Sequence, residues 1–352
     1  MRIGLDATYS LGAEPTGIAE YSQKLIRGLA EQQPADRFVL CYRSHTWRKA
    51  LRQPPPTANC TRAPLWLGRW TDLFHGLNQR LPPGRFRRAV ATFHDLFVMT
   101  AEYSTADFRR KFTELAQHAA RRSDLILAVS QFTADQTAEL LDFPRDRIRV
   151  VPHGVTPPQP VSAEGAARFR RERGWDDCTV YLHVGALQAR KNIVRLVEAF
   201  EALPGDPLLA LAGGDGYGAE AIHARIDGSR ARARILRLGY VDAATRALLY
   251  ASATALAFPS LDEGFGIPLL EAFAAGLPSL TSDRSALPEV AGGAALLVDP
   301  LDVEDIRAGL RRVADDPVLR DQLIRKGLER ARELTWERTA RLTWQAYQEL
   351  LR

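Results

Sequence analysis

The segment from Ser260 to Gly276 reads SLDEGFGIPLLEAFAAG, and it follows an apolar run that ends at Phe258. Two glycines lie near its start, Pro268 stands where the first turn of a helix would begin, and Gly276 stands where that helix would end. An apolar run, a glycine loop and a short helix in this order are typical of a strand and helix in a parallel sheet. The segment therefore predicts an α/β fold with a helix start at the carboxyl end of a strand.

Short apolar runs alternate with amphipathic stretches along nearly the whole chain, as in successive βαβ units. We expect strands at residues 2–9, 38–43, 72–76, 89–97, 124–130 and 148–155, and again at 179–184, 208–212, 235–238, 253–259, 278–282 and 294–298. A chain of 352 residues is too long for one ordinary core. The pattern predicts two Rossmann-like domains, each a doubly wound parallel sheet, that face a deep cleft.

The domain borders are predicted from prolines and from the last helical segment. Four prolines fall between residues 152 and 160, which indicates a stiff crossing between the domains. The helical segment after residue 334 carries Trp336, Trp344 and Tyr347, a large apolar surface that must pack somewhere. We therefore expect a first domain at 1–157, a second at 158–334, and a helix at 335–352 that packs back towards the first domain.

Composition narrows the class of protein. The chain is 46% hydrophobic and 25% charged, which argues against a disordered or fibrous protein. It has no uninterrupted apolar run of about 18 residues and no signal-peptide pattern at its start. Its three cysteines suit neither a metal knuckle nor a disulfide framework. We therefore expect a cytoplasmic protein that is neither secreted nor membrane-spanning.

The positive charge is concentrated in the first half of the chain. Residues 41–122 contain 15 Lys and Arg against 5 Asp and Glu, whereas the net charge of the whole chain is only +5. Such a basic surface fits nucleic acid, an anionic membrane or an acidic ligand. A solvated arginine-rich surface without a partner is the plainer alternative.

Two carboxylates flank the predicted helix start at Ile267. We expect the backbone amides of the first turn, at about residues 267–270, to lack partners within the protein, and with the helix dipole such amides form a site for phosphate. Glu263 lies on the loop and Glu271 about one turn into the helix, and each can accept hydrogen bonds from a vicinal diol of a ribose or sugar. The alternative is that these charges merely stabilise the helix.

A second polar group follows the strand that ends at Val184, where residues 185–192 read GALQARKN. Arg190 and Lys191 are placed to neutralise a diphosphate, and Asn192 is predicted to cap the following helix with its side chain. The alternative, if this pair is considered alone, is that Arg190 and Lys191 are two ordinary surface cations. Because open α/β sheets bind ligands at their strand ends, we expect the two groups to form one site.

The first domain offers fewer candidates. Gly17 lies between the first strand and the first helix, where it lets the backbone approach a ligand. His94 follows a strand and is predicted to face the cleft, although a packed or capping histidine is the plainer interpretation.

A glycine-rich run from Gly214 to Ala219, with Asp242 further on, satisfies the dinucleotide-binding pattern G-x-G-x-x-G/A. That pattern should follow the first strand of a domain, whereas this run follows the second, so nicotinamide binding is only an alternative. The chain contains no D-x-D, H-E-x-x-H, paired C-x-x-C or G-x-S-x-G. No metal and no cofactor is therefore expected.

These motifs resemble glycosyltransferase family 4, the retaining group 1 enzymes of GT-B fold. The spacing from Glu263 to Glu271 is similar to that family's E-x7-E motif, and residues 185–192 are similar to its G-x-L-x-x-R-K-N run. Further similarities fall at residues 15–18, 94–96, 151–155, 287–292 and 336–337, so the resemblance covers nearly the whole chain. The branch that it most resembles is the mannosyltransferase-B-like group, which builds O-antigen.

The resemblance implies roles for single residues. Glu271 would hold the donor ribose, Glu263 the donor sugar, and Arg190 and Lys191 the diphosphate. His94 would lie near the reacting carbon of the donor or near its C6 hydroxyl. With Glu263, Arg190 and Lys191, His94 completes the implied catalytic set. The remaining implied donor contacts are Gly17, Gly185, Gly239, Tyr240, Phe265, Gly266, Ile267 and Leu269.

The resemblance also implies an activity. It is transfer of a hexose, mannose or a deoxyhexose favoured, from a GDP-linked sugar to a growing glycan with retention and without a metal. The acceptor would be a glycan or a lipid-diphosphate-linked glycan, the enzyme could touch the anionic inner membrane surface peripherally, and nucleic acid would not be a partner. A nucleotide-sugar epimerase, a hydrolase or phosphorylase, and a non-catalytic sugar-binding protein stay open as alternatives.

Overall fold

The protein is described by a computed structural model that covers residues 1–11 and 17–352. It divides into two compact units. Unit 1 comprises Met1–Thr100, Ala106–Gly154 and Leu334–Arg352, and unit 2 comprises Ala101–Thr105 and Val155–Glu333. The predicted borders, after residues 157 and 334, lie close to these. The sequence had no feature that assigns residues 101–105 to unit 2.

Each unit is built on a parallel sheet. Within the described residues, unit 1 has strands β1 Arg2–Asp6, β2 Arg37–Tyr42, β3 Cys60–Pro64, β4 Leu73–Gly76, β5 Ala89–Phe93, β6 Leu125–Ala128 and β7 Ile148–Val150. They are ordered β3-β2-β1-β4-β5-β6-β7. Unit 2 has β8 Val180–Val184, β9 Leu208–Ala212, β10 Ile235–Gly239, β11 Ala255–Phe258, β12 Ser279–Ser282 and β13 Leu296–Val298, ordered β10-β9-β8-β11-β12-β13. Both orders reverse at an inner strand, as in doubly wound folds.

Helices connect the strands. They are α1 Gly17–Gln32, α2 Ser44–Leu51, α3 Phe97–Thr100, α4 Ala106–Arg122, α5 Gln131–Leu141, α6 Ala163–Glu172, α7 Ile193–Glu201, α8 Ala219–Asp227, α9 Ala243–Ser252, α10 Ile267–Ala274, α11 Leu287–Ala291, α12 Val303–Asp315, α13 Pro317–Glu333 and α14 Trp336–Leu351. None of the helices in the described part of the chain combines the length and the apolar character needed to cross a bilayer.

Three predicted strands are shorter than expected. The strands predicted at 2–9, 89–97 and 148–155 end at Asp6, Phe93 and Val150. The apolar run continues beyond each of them because the connecting residues are also buried, as at Ala7, Leu96 and Val151. Burial without strand pairing produces the same sequence pattern as a strand.

Helix α14 is part of the core of unit 1 although it comes last in the chain. Its side chains Trp336, Trp344 and Tyr347 are buried in one cluster with residues of α1 and of the sheet. The Tyr347 hydroxyl lies 2.5 Å from Nδ1 of His75, a histidine on β4. Gly154 fits against the start of this helix, since a Cβ there would lie 2.2 Å from the Trp336 amide nitrogen.

Candidate active site

The loop after β11 and the start of α10 form a short cradle of backbone groups. Gly266 adopts φ 105° just before the helix, a conformation that favours glycine. No hydrogen bond joins the amides of Gly266 and Ile267 to the residues that the structure describes. The Leu269 amide, in contrast, donates to the Gly266 carbonyl at 3.0 Å. The expectation that the Leu269 amide lacks a partner within the protein is therefore wrong, and the open part of the cradle is narrower than predicted.

Glu263 and Lys191 are buried, and with the partly buried Arg190 they form an ion cluster. Arg190 Nη1 lies 2.8 Å from Glu263 Oε2, and the Lys191 ammonium donates to Glu263 Oε1. Burial alone would raise the pKa of Glu263, but the two cations outweigh it and hold the pKa at about 2. The structure thus brings together three residues that the sequence assigned to one site, with the carboxylate bonded to the cations.

The glycine-rich run at residues 214–219 supports the segment that carries these cations. The Leu187 amide donates to the Gly214 carbonyl at 2.8 Å, and the Gly216 amide donates to the Leu187 carbonyl at 3.0 Å. A Cβ at Gly213 would lie 2.0 Å from the Gly185 carbonyl oxygen. A Cβ at Gly216 would lie 2.3 Å from Cγ of Gln188, and Gly218 has φ 83°, so side-chain packing and backbone conformation account for these two glycines without a dinucleotide.

Asn192 has a different role from the predicted one. Its backbone lies in the left-handed region at φ 59°, and its side chain makes no capping hydrogen bond to α7. Instead, Nδ2 donates to the carbonyls of Pro259 and Pro300, at 3.1 and 2.6 Å. Asn192 thereby ties the cation segment to the residues that follow β11 and β13.

Glu271 is positioned by two residues that the sequence did not indicate. The Tyr250 hydroxyl donates to its Oε2 at 2.9 Å, and Arg246 Nη2 lies 3.4 Å from its Oε1. Both partners belong to α9, where they read as ordinary helix residues. Arg246 and Tyr250 lie one helical turn apart on α9, and only the tertiary structure shows that both face Glu271.

Two further predicted donor contacts lie at the end of β10. Gly239 has φ 65° and its carbonyl accepts from the Gly213 amide at 2.8 Å. Tyr240 follows with its side chain 65% exposed. An exposed ring at a strand end is suited to stacking on a base.

His94 and Gly17 lie in unit 1, whereas the other predicted donor contacts lie in unit 2. His94 is buried, with Nε2 3.0 Å from the Leu77 carbonyl and Nδ1 3.3 Å from Nε2 of His153. Burial lowers the pKa of His94 to about 4, so its ring is neutral at pH 7. Gly17 is the first residue of α1 and is exposed. Pro15 and Thr16, which belong to the motif quoted at residues 15–18, lie outside the described residues.

Known proteins match this chain over both units. A family model described as glycosyl transferases group 1 matches residues 167–330, and one described as glycosyltransferase family 4 matches residues 17–158. The O-antigen chain mannosyltransferase B of Escherichia coli is 34% identical over 291 residues, which are 78% of this chain and 74% of that protein. The chain belongs to the group 1 glycosyltransferases. This glycosyltransferase is also 28% identical to a serotype-specific mannosyltransferase WbdA of Escherichia coli over 277 residues, 75% of this chain but 34% of that protein.

Solved structures agree on the fold of this glycosyltransferase. The crystal structure of Anabaena HepE in complex with UDP and glucose has a TM-score of 0.76 at 16% identity, and the match covers 99% of this chain and 100% of that one. The predicted GT-B fold, two Rossmann-like parallel-sheet domains, is confirmed.

Proposed function

We propose that this glycosyltransferase transfers a hexose from a nucleoside-diphosphate sugar to a hydroxyl of a growing cell-surface glycan. The observation that carries the proposal is the cluster of Arg190, Lys191 and Glu263 beside the open amides at the start of α10. Cations and helix-terminal amides together suit a diphosphate, and a carboxylate suits sugar hydroxyls.

Different residues of unit 2 bind different parts of the donor. Arg190, Lys191 and the amides of Gly266 and Ile267 hold the diphosphate, and Glu263 turns from the cations to the sugar hydroxyls when the diphosphate arrives. Glu271, held by Tyr250 and Arg246, accepts hydrogen bonds from the ribose diol. Gly185 lets the diphosphate approach the backbone, and Tyr240 stacks on the base.

In the reaction, the bond between the anomeric carbon and the diphosphate oxygen breaks, and the acceptor oxygen forms a bond to the same carbon on the same face. The diphosphate leaves with the bonding electron pair, and one of its oxygens takes the proton of the acceptor hydroxyl. The cations and amides lower the barrier by stabilising the negative charge that develops on the leaving group. For His94, whose ring is neutral at pH 7, we propose the role of an uncharged hydrogen-bonding group for the donor.

The sugar and the base are proposed from relatives. Two proteins similar to this chain are named mannosyltransferases, one of them of the O-antigen chain. We therefore propose mannose from a GDP-linked donor, with retained configuration, for O-antigen synthesis. Anabaena HepE, which has the same fold, was solved with UDP and glucose, so UDP-glucose is the donor to compare.

A donor panel tests this proposal. We expect GDP-mannose, with a mannose-terminated oligosaccharide as acceptor, to release GDP faster than UDP-, TDP- or other GDP-sugars do, and EDTA to leave the rate unchanged. Activity lost in EDTA would overturn the metal-free arrangement, and faster release from a UDP-sugar would overturn the choice of base. Product analysis by NMR reports the anomeric configuration, and inversion would overturn retention.

Two substitutions test the site itself. Lys191→Ala and Glu271→Ala should each lose about 100-fold in turnover and remain folded, because each removes a charged contact to the donor. Lys326→Ala, which removes an exposed lysine of α13, is the matched control and should retain wild-type turnover. Near wild-type turnover in both site variants would rule out this assignment.

We also propose that unit 1 contacts an anionic membrane surface, where a lipid-diphosphate-linked acceptor would be found. The support is the basic window at residues 41–122 and an aromatic patch formed by Trp66, Arg69 and Trp70. Trp66 and Trp70 are 59% and 64% exposed, and the Arg69 guanidinium lies 5.6 and 5.3 Å from their ring centres. Tryptophan beside arginine suits the interface between water and lipid.

Vesicle sedimentation tests this contact. Wild-type protein should bind vesicles that contain phosphatidylglycerol at low salt, and Trp66→Ser combined with Trp70→Ser should bind them at least tenfold more weakly. Val318→Ser, which removes an exposed apolar side chain of unit 2, is the control. Equal binding by the double variant would contradict the role of the patch.

A further inference from the structure

His183 is a buried histidine next to the ion cluster, and neither the family motifs nor the sequence patterns indicate a role for it. It lies near the end of β8, one residue before Val184, and is fully buried. Its Nδ1 lies 3.1 Å from the Ala257 carbonyl oxygen. A carbonyl oxygen can only accept, so Nδ1 carries the ring proton and Nε2 presents a lone pair.

That lone pair has no partner among the residues that the structure describes. A buried acceptor without a hydrogen bond is costly, and such groups in native proteins usually have a reason. Burial first, and then the charge of Lys191, lowers the pKa of His183 to about 4. The ring is therefore neutral at pH 7, and the lone pair remains available.

His183 Nε2 and the Lys191 ammonium border the same space over Gly185. A Cβ built on Gly185 would lie 3.7 Å from Lys191 Nζ and 3.8 Å from His183 Nε2. Both groups also pack on Phe258, with the His183 ring stacked at 5.7 Å and Lys191 Nζ 4.7 Å from the ring centre. Gly185 has φ 139°, so the position favours glycine and the space over it stays without a side chain.

We propose that His183 is a positioning residue for Lys191, and that its Nε2 accepts a hydrogen bond from the Lys191 ammonium when a diphosphate occupies the site. This inference rests on the proposed function. In the arrangement described above, the ammonium is bonded to Glu263. When Glu263 turns to the sugar, Lys191 loses that acceptor, and His183 together with the diphosphate supplies new ones. The lysine is then held against the diphosphate at a fixed position.

Asparagine and glutamine at position 183 separate the two ring nitrogens. His183→Asn retains a donor near the position of Nδ1 for the Ala257 carbonyl but removes the acceptor at Nε2. His183→Gln places an amide oxygen near the position of Nε2. The affinities of both variants for GDP, UDP and inorganic pyrophosphate are measured by calorimetry, alongside Lys191→Met and the double variant His183→Asn/Lys191→Met. Thermal unfolding shows that each variant is folded.

We expect His183→Asn to bind the ligands about tenfold more weakly than wild type, as for loss of one hydrogen bond to a charged group, and His183→Gln to bind within about threefold of wild type. In the Lys191→Met background, His183→Asn should change the affinity less than twofold, because the partner is gone. A merely structural histidine would weaken binding equally in both backgrounds.

The outcomes separate this inference from the proposed function. Wild-type protein that binds none of the three ligands would overturn the diphosphate site and the role of His183 with it. If the wild-type protein binds, three results would overturn the role of His183 alone. They are unchanged affinity in His183→Asn, an equal loss of affinity in both backgrounds, and an affinity of His183→Gln as low as that of His183→Asn.

Discussion

Glu263 has to serve two sets of partners in the proposed reaction. In the structure its carboxylate neutralises Arg190 and Lys191, and it is the ion pairs with these two residues that keep its pKa at about 2 despite burial. An incoming diphosphate must compete with this internal anion for the same two cations. The carboxylate therefore lowers the affinity of the empty site for anions, and it also keeps the buried Lys191 and the partly buried Arg190 from destabilising the fold.

Glu263→Gln separates these effects. The variant should bind inorganic pyrophosphate about tenfold more tightly than wild type, because the competing charge is gone, and should unfold at a lower temperature, because Arg190 and Lys191 lose their buried partner. Sugar transfer should slow, since the amide is a poorer acceptor for sugar hydroxyls. Calorimetry, thermal unfolding and a turnover assay measure the three effects.

Glu201→Gln is the matched control for that variant. Glu201 is also an ion-paired carboxylate of unit 2, bonded to Arg225 and Ser229. Loss of the Glu201 charge should leave the affinity for pyrophosphate unchanged. Pyrophosphate binding by Glu263→Gln that is equal to or weaker than that of wild type would contradict the competition.

At the scale of elements, the attachment of α14 to unit 1 depends on close backbone contact. Gly154→Ala would place a Cβ 2.2 Å from the Trp336 amide nitrogen, and backbone cannot move aside as a flexible side chain can. We expect a loss of about 2 to 4 kcal/mol in the free energy of unfolding of unit 1. Urea unfolding measures it, and Gly214→Ala, with no atom within 4 Å of the new Cβ, should change stability by less than about 1 kcal/mol. Equal stability of the two variants would contradict the close contact.

The helix that glycine and proline delimit was predictable, and so were the strands that carry an apolar run, whereas one edge strand was not. The helix from Ile267 and the glycine after it follow the sequence closely. Pro268 fixes φ in the first turn, and Gly266 and Gly276 permit the positive φ angles before and after the helix. Strand β3 was missed because it lies at the edge of its sheet, buries only Cys60 and Ala63 and has no apolar run.

Within the site, charged residues near strand ends could be predicted, and the residues that hold them could not. Arg190, Lys191 and Glu263 are recognisable because cations and carboxylates at strand ends are uncommon without a role. Tyr250 and His183 look like core residues in the sequence. Their roles can be inferred only from the tertiary structure, which brings Tyr250 to Glu271 and His183 close to Lys191.

For the whole molecule, buried neutral histidines link stability to pH. Burial lowers the pKa of His75 to about 3 and of His94 to about 4, and places that of His153 well below its ordinary value of 6.5. All three belong to unit 1, and His183, with a pKa of about 4, belongs to unit 2. Below pH 6.5 the unfolded chain binds protons that the folded chain does not, so stability falls as pH falls from 6.5 towards 4.

We expect unit 1 to open before unit 2 in acid. Each buried histidine costs about 1.4 kcal/mol per pH unit in this window, and the cost is concentrated in unit 1. Hydrogen exchange followed by mass spectrometry between pH 7 and 4.5, corrected for the intrinsic exchange rate, measures the two units separately. Earlier loss of protection in peptides from β8, β9 and β11 than in peptides from β1, β4 and β5 would contradict the expectation.

The position of α14 in unit 1 also has a consequence for biosynthesis. Unit 2 is almost continuous in the chain, whereas unit 1 needs residues 336–351, which the ribosome adds after all of unit 2. While unit 2 is being translated, the apolar surface that α14 will cover on α1 remains open to solvent and to chaperones. The first unit to be translated is therefore the last to complete its core.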